Sequence, residues 1–150
     1  MMIPLVRIAY WGHRLWSWIV RPISLGVRII LVQEGKVLLV RHTYSQGWHF
    51  PGGLVNRFET PLEAAAREAL EEAGIELLEP PRFLGIYSYY GAGRSDHVAT
   101  YVCYRFRQGR ATDQWEIAER RYFAVDEMPL DMNWQSHKMV RDLIQAQAQE

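Results

Sequence analysis

Thr60-Pro61-Leu62-Glu63-Ala64-Ala65-Ala66-Arg67-Glu68-Ala69-Leu70-Glu71-Glu72-Ala73-Gly74 is the stretch on which the fold turns. Thr60 at the N-cap, Pro61 at the first helical position and Glu63 three residues after the cap make a capping box, so a helix starts at Pro61. Gly74 follows where a left-handed residue closes a helix. Leu62, Ala65, Ala66, Ala69, Leu70 and Ala73 recur at helical spacing, and a face built of such small residues must lie close against a sheet. Glu68, Glu71 and Glu72 stand at i, i+3 and i+4, so their carboxylates share a face. Each like-charged pair at that spacing costs an isolated helix about 0.2 to 0.5 kcal/mol, a cost that a divalent cation reverses. Hard oxygen ligands with no cysteine nearby point to Mg²⁺ or Mn²⁺ and not to a structural zinc. The plain alternative is a solvated acidic face. Glu63, Arg67 and Glu71 fall on one stripe, which makes Arg67 an organiser of carboxylates and not a catalyst.

Working outward, residues 42–56 are rich in turn formers and read as a loop in which Pro51-Gly52-Gly53 gives the backbone close access to a metal or phosphate. Upstream, Ile23 to Gln33 alternates and then turns continuously apolar, and Glu34-Gly35 separates it from Lys36 to Arg41, which predicts two strands joined by a tight turn. Downstream, strands are predicted over Arg82 to Tyr90, His97 to Phe106 and Arg121 to Val125. A last helix runs from about Asn133, with Met139, Val140, Leu143 and Ile144 as its apolar stripe and a fraying Gln-rich end. No repeat and no Pro, Gly or Ser-rich linker divides the chain.

With 150 residues and 49% hydrophobic content the chain supplies one compact domain. Seventeen Lys and Arg balance seventeen Asp and Glu, which argues against a polynucleotide partner. Cys103 is the only cysteine, so an internal disulfide is excluded, and its place in an apolar alternating run predicts a buried thiol suited to a cytoplasmic location. Residues 1–21 are Trp-rich and aliphatic but carry Arg7, His13 and Arg14, too much charge for a membrane span and the wrong layout for a secretory signal. They read as an amphipathic helical extension whose apolar face needs a cover. Three covers are open: the rest of the chain, a second copy in a homodimer, or contact of residues 1–20 with a membrane surface.

Gly53, five residues, Glu59, seven residues, Arg67-Glu68 and then Ala69-Leu70-Glu71-Glu72-Ala73-Gly74-Ile75 resemble the 23-residue Nudix box. Lys36 to Arg41, Gly47 to Gly53, and Glu116-Ile117-Ala118-Glu119 with Tyr122-Phe123 are similar to further family segments, so the resemblance covers about residues 22 to 144. Phe58 departs from it where Gly is common, and Ala69 is small for its apolar slot. The resemblance implies an α+β fold, an α/β/α sandwich with a mixed β-sheet, to which the N-terminal helix is an addition. It divides the chain into that extension, 1–21, and a Nudix hydrolase domain, 22–150. It implies that Glu68, Glu71, Glu72 and the Gly53 carbonyl bind Mg²⁺ (or Mn²⁺), that Glu59 supports Arg67, and that Glu68 or Glu116 is the general base, with Glu119 able to exchange roles with Glu116.

The activity so implied is metal-dependent hydrolysis of a phosphoanhydride bond in a nucleoside diphosphate derivative such as ADP-ribose, a nucleotide sugar or a dinucleoside polyphosphate. The partner is then a small-molecule nucleotide. A housecleaning nucleoside triphosphate pyrophosphatase and a non-catalytic nucleotide-binding module are the alternatives. Among Tyr44, Trp48, Phe50, Tyr87, Tyr89 and Tyr90, the two nearest Gly53 in sequence, Trp48 and Phe50, are the candidates for stacking on a base. Arg41 and Arg94 are candidates for phosphate contacts, and Asp96-His97 beside Gly91 and Gly93 marks a site-lining loop.

Overall fold

The computed structural model describes residues 23–91, 93–112 and 115–150, together with Ile8, Trp11, Gly12, Leu15, Trp16 and Ile19. The helix expected over residues 1–21 otherwise lies outside the described residues. β1 (Ile23–Gln33) and β2 (Lys36–His42) form a hairpin in which Gln33 pairs with Lys36. Its two turn residues, Glu34 and Gly35, have φ of 51° and 72°, the mirror-image turn that suits the twist of a two-residue hairpin. β3 (Gly52–Leu54) pairs antiparallel with β1, β5 (Arg82–Gly91) pairs antiparallel with β6 (Arg94–Cys103), and β8 (Ile117–Ala124) closes the far edge against β2. β1 and β6 run parallel, so the sheet is mixed, in the order β5-β6-β1-β2-β8 with β3 beside β1. A separate two-stranded sheet joins β4 (Ile75–Leu77) to β7 (Phe106–Gln108).

The continuous apolar run in the second half of β1 exists because both its faces are covered. Val27, Ile29 and Leu31 meet Ala64, Ala65, Ala69 and Ala73 of α1 (Pro61–Ala73). Ile30 and Val32 meet Met139, Val140 and Leu143 of α2 (Trp134–Ala148) on the other face. The result is the expected α/β/α sandwich. The capping box of α1 is present in full, with Thr60 Oγ1 accepting from the Glu63 amide at 3.2 Å and Glu63 Oε2 accepting from the Thr60 amide at 2.8 Å. Gly74 closes the helix at φ 68°. Its buried face differs in one register from the expectation: Ala64 is inside, while Leu62, Ala66 and Leu70 are exposed. The sheet approaches so closely that methyl-sized side chains fill the contact and leucines are left at its margins.

Other boundaries also differ. The strand expected over His97 to Phe106 begins at Arg94 and stops at Cys103, and β7 then belongs to the small sheet. β8 starts at Ile117, four residues before the expected Arg121. β3 lies inside the expected loop, and α2 continues through its Gln-rich end to Ala148. Cys103 is buried, as expected, and burial pushes its thiol pKa up.

Phe58 sits at φ 64° and is 99% exposed, a left-handed conformation that a side chain with a Cβ disfavours. Glycine at this position adopts the same backbone without that clash, and an exposed ring gives up little packing. Phe58→Gly is therefore expected to raise the thermal midpoint by about 2–4 °C in a calorimetric scan, net of glycine's greater freedom in the unfolded chain.

Candidate active site

The capped start of α1 sets the helix phase, and that phase turns Arg67, Glu68 and Glu72 toward the β3 turn. Arg67 is the hub. Its guanidinium donates to Glu59 Oε1 at 2.7 Å and Oε2 at 3.0 Å, to Glu68 Oε1 at 2.8 Å, to Glu71 Oε2 at 3.1 Å and to the Leu54 carbonyl at 3.0 Å. The hydrogen bonds to Glu59 chiefly raise the Arg67 pKa, and the same contact lowers that of Glu59, helped by the Asn56 amide. Glu63 takes no part: it is spent on the cap, and the expected stripe through Glu63 is corrected to one through Glu59. The cap amide and hydroxyl of Thr60 hold the Glu63 carboxyl below its usual range.

Glu68 and Glu72 are buried while the Glu71 side chain is 39% exposed, so the acidic face of α1 is solvated only at Glu71. Burial pushes the Glu68 carboxyl up, and the neighbouring charges of Glu72 and Glu71 push the same way against the opposing hydrogen bond from Arg67. Glu68 reaches its place because Gly53 has no side chain: a Cβ there would lie 2.4 Å from Glu68 Oε1. Glu72 is gripped at both oxygens, with Oε1 2.9 Å from His42 Nε2 and Oε2 accepting from the Gly52 amide at 3.0 Å.

His42 escaped the sequence reading. The signal was the alternation Leu38, Val40, His42 on β2, of which Leu38 packs with the α1 cluster. Arg28 was also missed; it donates to the carbonyls of Phe50 at 3.0 Å and Gly52 at 3.2 Å and so fixes the turn that carries Gly53.

Three clustered carboxylates with hard oxygens, closed in by a bare glycine face, have the donor chemistry of a divalent cation site. Among the described residues no three acidic, histidine or cysteine side chains already converge on one point. Arg67 and His42 hold the oxygens that a cation would take.

Beside this cluster a cavity of about 360 Å³ opens, with Gly53 and Leu54 in its wall together with Arg28, His49, Tyr89 and Asp96. Arg94, expected near phosphate, also lines it. Trp48 and Phe50, expected to stack on a base, do not: both are core residues, Phe50 fully buried and Trp48 edge-on to Phe123. Arg41 stands over Trp48 at 5.3 Å, as does Arg121, and pairs with Glu119 at 2.6 Å. Glu119 also pairs with Arg121. Glu116 lies in the turn before β8, where its carbonyl accepts from the Thr43 amide at 2.8 Å. Tyr87 is tied to α2 through Asp142 at 2.6 Å.

Comparison with known proteins gives a match to the NUDIX domain family model over residues 22–143. The chain is 32% identical over 108 residues to a CMP-5'-(N-acetyl-N-hydroxy-3-aminopropyl)phosphonate hydrolase of Streptomyces rubellomurinus, covering 68% of this chain and 52% of the relative. It is 43% identical over 47 residues to an RNA pyrophosphohydrolase of Xanthomonas oryzae, covering 31% and 23%. The chain thus spans about half of the first relative and a quarter of the second. Among solved structures, a MutT NUDIX hydrolase from Burkholderia pseudomallei superposes with a TM-score of 0.73 at 24% identity, covering 81% of this chain and 98% of that one. A NUDIX hydrolase from Nitrosomonas europaea gives 0.73 at 22%, covering 83% and 90%. At these identities the structural likeness carries the fold.

Proposed function

The chain belongs to the Nudix family, and from that membership we propose that it is a metal-dependent pyrophosphohydrolase acting on a nucleoside diphosphate linked to a further group, such as ADP-ribose, a nucleotide sugar or a dinucleoside polyphosphate. One observation carries the reading. A nucleoside-sized cavity has Gly53 in its wall, and the Glu68 carboxylate lies against that same residue. A substrate seated in the cavity would therefore present its diphosphate to the carboxylate cluster. The names of the relatives, a CMP-phosphonate hydrolase and an RNA pyrophosphohydrolase, agree with chemistry of this class.

Glu68, Glu71 and Glu72, with the Gly53 carbonyl, would hold Mg²⁺ (or Mn²⁺). When bound, the ion neutralises diphosphate charge and makes water a better nucleophile. The chain's own residues do the rest. Arg67, braced by Glu59, sets the positions of Glu68 and Glu71. His42 and the Gly52 amide orient Glu72. Glu68, whose burial raises its affinity for a proton, suits the role of base, and Glu116 is the other candidate. A single buried thiol fits a reducing cytoplasm, and no helix among the described residues is long and apolar enough to cross a membrane.

Product analysis by phosphorus NMR tests the reading. A nucleoside diphosphate derivative should yield a nucleoside monophosphate and the phosphorylated remainder. Exclusive turnover of nucleoside triphosphates to pyrophosphate would favour the housecleaning alternative, and binding without any product the non-catalytic one. Glu119 is already committed to two arginines, so Glu119→Gln should leave kcat close to wild type. Glu116→Gln should lower kcat much more than it changes KM if Glu116 takes the proton; an unchanged kcat would leave Glu68 as the base.

A further inference from the structure

The cavity beside Gly53 is lined from β1, β5 and β6, with His49 from the loop before β3 and Asn133 at the cap of α2. Ser24 of β1 and Tyr89 of β5 are both in register with Asp96 of β6, so the three stand in a row across adjacent strands. All three line the cavity. Ser24 Oγ donates to Asp96 Oδ1 at 2.5 Å, and an Arg94 guanidinium nitrogen lies 3.6 Å from the same oxygen. Both neighbours therefore address Oδ1, and Oδ2 has no hydrogen-bond partner among the described residues. A carboxylate accepts hydrogen bonds and donates none.

His49 lines the same space. Its Nε2 is the one buried side-chain polar atom without a hydrogen-bond partner among the described residues, and being buried it is not offered to an occupant of the cavity. Burial, more than the nearby charges of Arg28 and His42, lowers the His49 pKa. The cavity thus presents the Asp96 carboxylate and the flat ring of Tyr89 beside the cationic side chains of Arg28 and Arg94, which suits an occupant with a hydrogen-bond donor, a π-face and an anionic part.

We propose that Asp96, aimed by Ser24 and set beside Tyr89, selects nucleosides whose base bears an exocyclic amine, namely adenine, guanine or cytosine, over uracil and thymine. The inference rests on the reading above that the substrate is a nucleoside diphosphate derivative. A base stacked on Tyr89 turns its edge toward the neighbouring position on β6, where Asp96 stands. An amine there donates to Oδ2. Uracil and thymine offer one ring N–H flanked by two carbonyl oxygens, which the carboxylate repels.

The test is binding of nucleoside monophosphates to the full chain by titration calorimetry, alongside kcat/KM on the matching diphosphate derivatives. CMP and AMP should bind about tenfold or more tightly than UMP and dTMP. Asp96→Asn, which can donate to a carbonyl, should close that gap to within a few-fold, while Tyr89→Phe, which keeps the ring, should preserve it. UMP binding as tightly as CMP to the wild type would overturn the proposal. So would an unaltered preference in a folded Asp96→Asn protein. Should that variant not fold, the wild-type ratio and Ser24→Ala, which frees the carboxylate to turn and should weaken the preference, decide instead. Hydrolysis without base preference sinks this inference and leaves the proposed function standing; no binding and no hydrolysis across the panel sinks both.

Discussion

Glu72→Gln is expected to lower kcat/KM by at least about a hundredfold while the protein keeps its fold. Glu72 is buried between His42 Nε2 and the Gly52 amide, one at each carboxylate oxygen. Glutamine has the same length, keeps one oxygen to accept from Gly52 and can turn its amide nitrogen toward His42, so the packing of α1 on β2 and β3 survives. What goes is a negative charge and one hard oxygen in the carboxylate cluster. Circular dichroism should superpose on that of the wild type as activity falls. A variant with the wild-type rate and wild-type metal dependence would remove Glu72 from the ligand set.

Gly53→Ala should also cost about a hundredfold in kcat, through displacement of a neighbour and not through loss of a functional group. The new Cβ would stand 2.4 Å from Glu68 Oε1 and 2.9 Å from its Cδ. Both distances are too short to persist. The obstruction is the end of a flexible side chain, so the carboxylate moves and the main chain stays, and thermal stability should change little. Glu68 would then leave its hydrogen bond to Arg67, and the order around the hub would loosen at the point nearest the cavity. Steady-state kinetics with a thermal scan checks both halves. Full activity would mean that the approach of Glu68 to Gly53 is incidental, whereas collapse of the fold would mean that the glycine serves structure.

The sequence made α1 legible because every signal agreed: Thr60, Pro61 and Glu63 at one end, Gly74 at the other, and alanines between. β1 was legible from its change of pattern, which marks where helices cover both faces. β3 was not, since Gly52-Gly53 has no strand propensity; it pairs with β1, and Arg28 ties down its turn. β4 and β7 are three residues each and pair only with one another, too short for a period to show. The carboxylates were found from helical spacing, but their partners were not: Glu59 and not Glu63 braces Arg67, and His42 reaches Glu72 across 30 residues of sequence. Nearness in sequence misled for Trp48 and Phe50. Along residues 48–50 the side chains alternate, so His49 lines the cavity while Trp48 and Phe50 go to the core. The cavity draws instead on β1, β5 and β6, which come together only in the folded sheet.

If the Glu68, Glu71 and Glu72 cluster works with a divalent cation to break a phosphoanhydride bond, turnover needs that ion. The most direct measurement is the rate of nucleoside monophosphate release from a panel of nucleoside diphosphate derivatives by chelator-treated protein, titrated with Mg²⁺ and separately with Mn²⁺. The expected result is no turnover after chelation and saturable recovery with either ion. Turnover that ignores both the chelator and the added metal would contradict the account.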